Sequence, residues 1–386
     1  MEWTHCKVSD LAEIISGGTP KTSIESYWNG NIPWLSVKDF SGDSKYVSST
    51  EKTITEEGLN HSAANLLDVN DIVISARGTV GELAMLSVPM SLNQSCFGLR
   101  PKCDADYLYY LLKIKVAELK QRANGGVFGT IIRTTFDSIK CTLPLELKDQ
   151  HRIASILSTY DSLIENNTKR IRLLEKMAEN LYKEWFVRFR FPGHENVEME
   201  NGLPKGWTVE KVKDWCRVFT GRKDVNQTVE GGKYAFFSCS PNMFHSDEYI
   251  YDGKAVLIAG NGSYTGRTRY FEGKFDLYQR TYAVVSDRPD DDFMFYLFLR
   301  FKYDFEPLHN GGTRGSAIPY IVMKDITKYK FLYDTDIVKC YTERVKPMFD
   351  EIDNLQHQNS LLARQRDLLL PRLMSGKLEV KEELLE

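Results

Sequence analysis

Trp3-Thr4-His5-Cys6-Lys7-Val8-Ser9-Asp10 opens the chain, and Trp207-Thr208-Val209-Glu210-Lys211-Val212-Lys213-Asp214 stands 204 residues further on. Trp, Thr, Lys, Val and Asp recur at identical spacing, and an internal repeat of this kind decides the architecture before any single element is assigned. A short helix is expected next in each copy. Leu11, Ile14 and Ile15 share one face in the first copy, and Trp215, Val218 and Phe219 share one in the second. Each helix is expected to end at a glycine, Gly17 or Gly221, as where a chain leaves through a left-handed residue. Three further matches keep the order. Leu92-x-Gln94 pairs with Leu277-x-Gln279, and Asp106-Tyr107-x-Tyr109-Tyr110-Leu111 with Asp292-Phe293-x-Phe295-Tyr296-Leu297. Asn124-Gly125-Gly126-x-x-Gly129 pairs with Asn310-Gly311-Gly312-x-x-Gly315, the offset having fallen to 186. Loops have changed length while elements persist, which is the mark of a duplicated unit.

Each copy ends in a long helical pattern. Ile153, Leu157, Tyr160, Ile164, Asn167, Ile171, Leu174, Ala178, Leu181 and Trp185 alternate by four and three. Val345, Met348, Ile352, Leu355, Asn359, Leu362, Arg366, Leu369 and Leu373 do the same. This rhythm is a coiled-coil seam, narrower than the stripe of an ordinary surface helix. Pro347 is expected in the first turn of the second helix, where its missing N–H costs little. Pro371 is expected to mark that helix's end or a kink. Each seam carries one Asn, which either is buried and fixes register or sits at the seam's edge. Phe191-Pro192-Gly193-His194 through Asn201-Gly202-Leu203-Pro204-Lys205-Gly206 is rich in turn formers and reads as a linker. The segments are therefore 1–147, a globular part; 148–191, a helix; 192–206, the linker; 207–336, a second globular part; and 337–380, a second helix. The globular parts read as mixed α/β, with buried strands at 71–75, 234–238, 255–259 and 282–286. Trp34 and the aromatic run Phe293–Phe301 read as core.

The 386 residues carry 50 Lys and Arg against 53 Asp and Glu, a formal charge of −3. At about 150 residues per domain the length suggests two or three domains. Hydrophobic residues make up 42%, enough for packed cores and too many for a disordered chain. No apolar run approaches the roughly 20 residues of a membrane span, and the first residues lack the order of a signal peptide. Seven irregularly spaced cysteines with no C-x-x-C fit reduced thiols in the cytoplasm. No phosphate-cradling G-x-x-x-x-G-K-[S/T] loop, metal-ligand cluster or methyltransferase tetrad is present, so no catalytic site is expected. Glu379-x-Lys381 has no carboxylate partner and reads as a solvated end. With so little net charge, any nucleic-acid contact must rest on local basic groups. From Tyr251 to Ala283 five basic residues face three acidic ones, amid Tyr264, Tyr270 and Tyr278.

The motifs resemble one family in combination. Ser16-Gly17-Gly18-Thr19-Pro20-Lys21-Thr22, Tyr27-Trp28 and Ile32-Pro33-Trp34-Leu35-Ser36-x-Lys38-Asp39 resemble the opening of the target-recognition domain of type I restriction–modification specificity (S) subunits. Asp71-Ile72-Val73-Ile74-Ser75-Ala76-Arg77-Gly78-Thr79-Val80-Gly81 and Asn93-Gln94 are similar to the same domain. Asp149-Gln150-x-Arg152-Ile153-Ala154-x-Ile156-Leu157 resembles the start of that family's helical region. Leu203-Pro204-x-Gly206-Trp207 resembles the start of its second domain, and Leu370-Pro371-x-Leu373-Met374-x-Gly376-x-Leu378 its ending. The second copy departs from the pattern, with Arg222-Lys223-Asp224 after Gly221 and Gly260-Asn261-Gly262-Ser263-Tyr264-Thr265-Gly266 as its glycine loop. Such divergence is expected if the two domains read different sequences.

The resemblance implies a mixed α/β protein with two target-recognition domains and an antiparallel coiled coil related by a pseudo-two-fold repeat. It implies a non-catalytic reader of a split double-stranded DNA site, bound to two modification subunits that methylate adenine and to motor–nuclease restriction subunits. S-adenosylmethionine, ATP and Mg are then expected on the partners, and no cofactor, metal or membrane contact on this chain. A helix from Ile153 to Trp185 spans about 50 Å at 1.5 Å per residue, against about 34 Å for one turn of B-DNA. Phosphate contacts supply affinity and base-edge contacts specificity. Candidate DNA contacts in the first copy are Lys21, Thr22, Lys38, Arg77, Asn93, Gln94 and Arg133. In the second they are Arg222, Lys223, Asn261, Tyr264, Arg267, Arg269, Gln279, Arg280 and Arg314. Asn93 and Gln94 suit adenine and Arg133 guanine. Asn93, Gln94 and Gln279 equally suit a structural role, and the repetition of the Gln favours one. The alternatives are a two-domain protein-binding adaptor using its coiled coil as a ruler, and a stand-alone nuclease.

Overall fold

The structure, a computed structural model, describes residues 1–40, 44–123, 129–286, 288, 291–309 and 319–380. Its contacts divide the chain into two compact units, Met1–Lys169 with Leu355–Glu386, and Arg170–Asn354.

In the first unit a five-stranded sheet runs in the order Ala12–Ser16, Cys96–Pro101, Ile72–Ser75, Leu83–Leu86, Tyr46–Val47. Its central strand is buried on both faces, hence its unbroken apolar run. Ile72 and Ile74 enter a core shared with the helix Ala105–Ala123, which contributes Tyr107, Leu108, Leu111 and Leu112. Val73, on the opposite face, packs with Leu35, Leu67 and Leu92. That second core lies against a four-stranded sheet ordered Lys52–Ile54, Trp28–Leu35, Met90–Leu92, Leu66–Leu67.

The second unit repeats the arrangement around Tyr251–Ala259, within a six-stranded sheet. Val256 and Ile258 join the core of the helix Asp291–Arg300, while Ala255 and Leu257 join Phe237, Phe275 and Leu277 on the other face. The aromatic run from Phe293 to Phe301 is core, as expected.

The duplication shows in matching backbone pairs, although two sheets of the first unit correspond to one six-stranded sheet in the second. Trp3–Lys7 pairs with Lys140–Pro144 so that Lys7 faces Lys140, and Thr208–Lys211 pairs with Lys330–Tyr333 so that Lys211 faces Lys330. Val8 N–H donates to Ile139 O and Val212 N–H to Tyr329 O, each at 3.1 Å. Phe97 faces Ser16 and Ile74, and correspondingly Tyr282 faces Thr220 and Ile258.

The helices expected after each repeat motif are shorter than the sequence pattern implies. A single turn, Val8–Leu11 or Val212–Trp215, gives way to the strands Ala12–Ser16 and Arg217–Thr220. Ala12 and Ile14 are buried two apart, the period of a strand rather than a helix. The glycines that follow are not left-handed helix ends. A Cβ on Gly17 would lie 1.9 Å from Asn93 O, and one on Gly221 1.8 Å from Leu277 O. Both positions need glycine because two backbones approach there.

Two long helices, Leu147–Tyr182 and Thr335–Met374, carry the seams. Every seam residue in both is buried or half-buried. Within the first unit Asn167 Nδ2 donates to Asn359 Oδ1 at 3.0 Å, and Arg366 pairs with Asp161. Within the second unit Arg170 pairs with Glu351 at 2.7 Å, and Tyr341 Oη donates to Ala178 O at 3.4 Å. In both units rising numbers on one helix meet falling numbers on the other, so the pairing is antiparallel. Asn167 is 6% exposed and bonds to the half-buried Asn359, so the two seam asparagines meet within the pairing. Pro347 is not in a first turn, because the helix begins at Thr335, where Asp334 Oδ1 accepts from Ile337 N–H. Pro347 is exposed, so the carbonyl it leaves unpaired faces water. Pro371 lies in the last turn of that helix.

Leu370, Leu373, Met374 and Val380 pack into the first unit's core, so the end of the second long helix is part of that unit. Among the described residues no helix is long and apolar enough to cross a membrane.

Candidate nucleic-acid interface

In the first unit, Ile72–Ser75 ends in a turn, Ala76-Arg77-Gly78, beside the turn Asn93-Gln94-Ser95 that precedes Cys96–Pro101. Ala76 N–H donates to Ser95 O at 2.7 Å and ties the two turns together. Gly78 has φ +76°, which a side chain would strain, with open space around it. A cleft of ≈ 390 Å³ opens here, lined by Trp34, Ser36, Val37, Lys38, Glu51, Lys52, Arg77, Gly78, Asn93 and Ser95. Lys38 and Arg77 are exposed. Trp34 forms the floor at 8% exposure, its Nε1 donating to Gly18 O at 3.0 Å, which confirms it as core. Three candidate residues thus meet in one place: Lys38, Arg77 and Asn93.

Asn93 also has a structural task, since its Oδ1 accepts from Ser95 N–H at 3.0 Å. Gln94 accepts from the Thr19 hydroxyl and holds the Gly17–Pro20 loop against the turn. Lys21 and Thr22 are exposed on that loop, and Lys21 O accepts from Trp28 Nε1 at 3.3 Å. Arg133 is exposed two residues beyond Ile131, whose N–H donates to Ala76 O at 3.0 Å. Lys52 lines the cleft and was missed by the sequence reading. Its place is set by the cross-strand register Trp34↔Lys52, which no local pattern reveals.

In the second unit the corresponding turn, Gly260-Asn261-Gly262, lies beside Tyr278-Gln279-Arg280, and Gly260 N–H donates to Arg280 O at 2.9 Å. A cleft of ≈ 470 Å³ is lined by Gly260, Asn261, Gln279, Arg280, Tyr282, Tyr320, Ile321 and Val322. Asn261 Oδ1 accepts from the Cys239 thiol at 3.2 Å, and Gln279 Nε2 donates to Asp224 Oδ2 at 3.3 Å. Gln279 thus braces the loop after Gly221 as Gln94 braces the loop after Gly17.

Arg267 and Arg269 line a small adjoining cavity of ≈ 20 Å³ with Cys239 and Ser240. Arg267 lies 5.7 Å from the ring of Tyr264, itself 47% exposed. Arg269 donates to Pro241 O at 2.5 Å and sits over Phe237. Burial, then the charge of Arg267, lowers its pKa. Arg222 is exposed. Lys223 is committed internally, 2.7 Å from Asp276 and 2.9 Å from Glu248. Burial opposes its charge, but these carboxylates outweigh it and raise its pKa. Arg314 and both Asn-Gly-Gly loops lie outside the described residues.

Each mixed α/β unit thus carries an exposed cleft lined by Arg and Asn. The chain belongs to the family described as the type I restriction modification DNA specificity domain, whose model matches residues 1–176 and 204–332. It is 29% identical over 412 residues to the type I restriction enzyme MjaIX specificity subunit of Methanocaldococcus jannaschii, covering 99% of this chain and 94% of that one. It is 25% identical over 414 residues to the MjaVIII specificity subunit of the same organism, covering 98% and 94%. The crystal structure of a type I restriction–modification S subunit from M. genitalium shares the fold, at a TM-score of 0.61 and 16% identity, over 97% of this chain and 96% of that one. As a specificity subunit, the chain is a non-catalytic component of its restriction system.

Proposed function

We propose that the chain recognises a bipartite DNA target, one half-site per reader, and directs adenine methylation and restriction by partner subunits. One observation carries this reading. The two units keep the same backbone framework at equivalent turns yet present different side chains there. A recognition protein with two unequal half-sites needs a conserved scaffold and divergent tips.

In the first reader Lys38 and Lys52 supply positive charge for phosphates, with Asn93 and Arg77 near base edges. In the second, Arg222, Arg267 and Arg280 take these roles, with Tyr264 offering an exposed ring. Lys223 and Arg269 hold the fold rather than the DNA. The long helices act as the spacer and as the seat of two modification subunits. Leu163, Leu361 and Leu368 are exposed on helix segments of the first unit, and Leu173 and Met177 on those of the second. Apolar side chains left in water along a coiled coil suit a protein partner. Restriction subunits complete the assembly, and S-adenosylmethionine, ATP and Mg serve those partners in the cytoplasm.

The test is to co-express the chain with its modification subunit in a host lacking adenine methylation and to map N6-methyladenine across the genome. A single interrupted motif is expected. Methylation at a continuous motif, or none that depends on this chain, contradicts the reading.

A further inference from the structure

The repeat aligns the two readers at the residue level where sequence alone does not. Ala76 N–H donates to Ser95 O and Ala76 O accepts from Ile131 N–H; Gly260 N–H donates to Arg280 O and Gly260 O accepts from Ile321 N–H. Position 77 is therefore equivalent to 261, and 95 to 280. Both pairs line exposed clefts, of ≈ 390 and ≈ 470 Å³. The first pair is Arg77 and Ser95; the second is Asn261 and Arg280. The guanidinium has moved from one turn to its neighbour, while the backbone beneath is unchanged.

We propose that positions 77 and 95, and their equivalents 261 and 280, are the specificity-determining pairs of the two half-sites. This rests on the DNA-reading function proposed above. Arg77 and Arg280 are exposed, and among the described residues neither guanidinium has an ion-pair partner, unlike Lys223. An unengaged Arg on a fixed turn presents its fork to the O6 and N7 acceptors of guanine. Asn261 has its Oδ1 engaged by Cys239, which leaves its amide N–H groups as donors. Exchanging the turn that carries the Arg shifts the guanine contact within the half-site. The bonds that align these positions are backbone bonds, so the exchange keeps the framework and gives up one side-chain bond, that of Asn261 to the Cys239 thiol.

The test uses the full chain with its modification subunit, as wild type and as two double variants. Arg77→Asn with Ser95→Arg installs the second reader's pair in the first, and Asn261→Arg with Arg280→Ser does the converse. Methylated adenines are mapped genome-wide for each. Each double variant is expected to change base preference about tenfold or more at one or two positions of one half-site, leaving the other half-site and the spacing as in wild type. Unchanged motifs in both variants overturn the proposal while the split-site reading stands. A wild-type complex that marks no split motif sinks that reading instead. Should a double variant mark nothing, Arg77→Gln and Arg280→Gln complexes are titrated against the target and its single-base changes. Lost discrimination at one base supports the proposal, and equal weakening on every sequence overturns it.

Discussion

Gly17 and Gly221 show how much one missing Cβ decides. A methyl at Gly17 collides with the Asn93 carbonyl, whereas one at Gly78 meets nothing within 4 Å. Gly17→Ala is therefore expected to melt far below wild type or fail to accumulate. Gly78→Ala, which strains only a φ of +76°, is expected to cost about 1 kcal/mol. Thermal melts followed by circular dichroism separate the two; equal losses would contradict this account. A second residue-scale device is buried between the helices. Asp161 accepts from Tyr110 Oη and pairs with Arg366, both partners being under 10% exposed. Burial opposes the Arg366 charge, but Asp367 and Asp161 outweigh it and raise its pKa. Arg366→Met leaves the Asp161 carboxylate buried and unpaired, at an expected cost of about 3–5 kcal/mol. Adding Asp161→Asn is expected to restore part of that, as read by denaturant unfolding. Both glycines are visible as repeated residues in the sequence, but the reason for them is not. The backbone each one approaches lies more than fifty residues away along the chain.

At the scale of elements, local periodicity was the most readable signal. The three-four rhythm of the seams identified both long helices because it repeats over many turns. The six residues from Leu11 to Ser16 are too few to separate a helical face from strand alternation, and there the structure has a turn and a strand. Pro347 misplaced the start of the second helix, because an exposed interior proline is tolerated where its orphaned carbonyl reaches water. The seam yields its own prediction. Leu174 and Leu181 are half-buried in the second unit. Leu174→Asp with Leu181→Asp places two carboxylates in that seam and is expected to open it, so that the chain no longer co-purifies with its modification subunit. Normal assembly would refute the spacer role. The candidate site was legible by residue type but not by company. Lys38, Arg77 and Asn93 come together from separate turns that follow strands, and Lys52 joins them through a cross-strand register invisible in the sequence.

For the whole molecule, a net charge of −3 conceals how the cations are arranged. Some, such as Lys223, neutralise internal carboxylates, while Lys38, Arg77 and Arg280 line the clefts with no ion-pair partner among the described residues. The free chain is expected to bind DNA weakly, with partners supplying much of the phosphate contact. Affinity of the assembled complex is expected to fall linearly with salt on a log–log scale; a salt-independent affinity would favour a protein-binding adaptor instead. The central claim is that two homologous units read two half-sites independently. Its most direct test replaces residues 205–335 with those of a relative of different specificity and maps methylated adenines in cells carrying the chimera and its modification subunit. One half of the motif is expected to change and the other half to stay as in wild type. A motif unchanged in both halves, or altered in both at once, would contradict it.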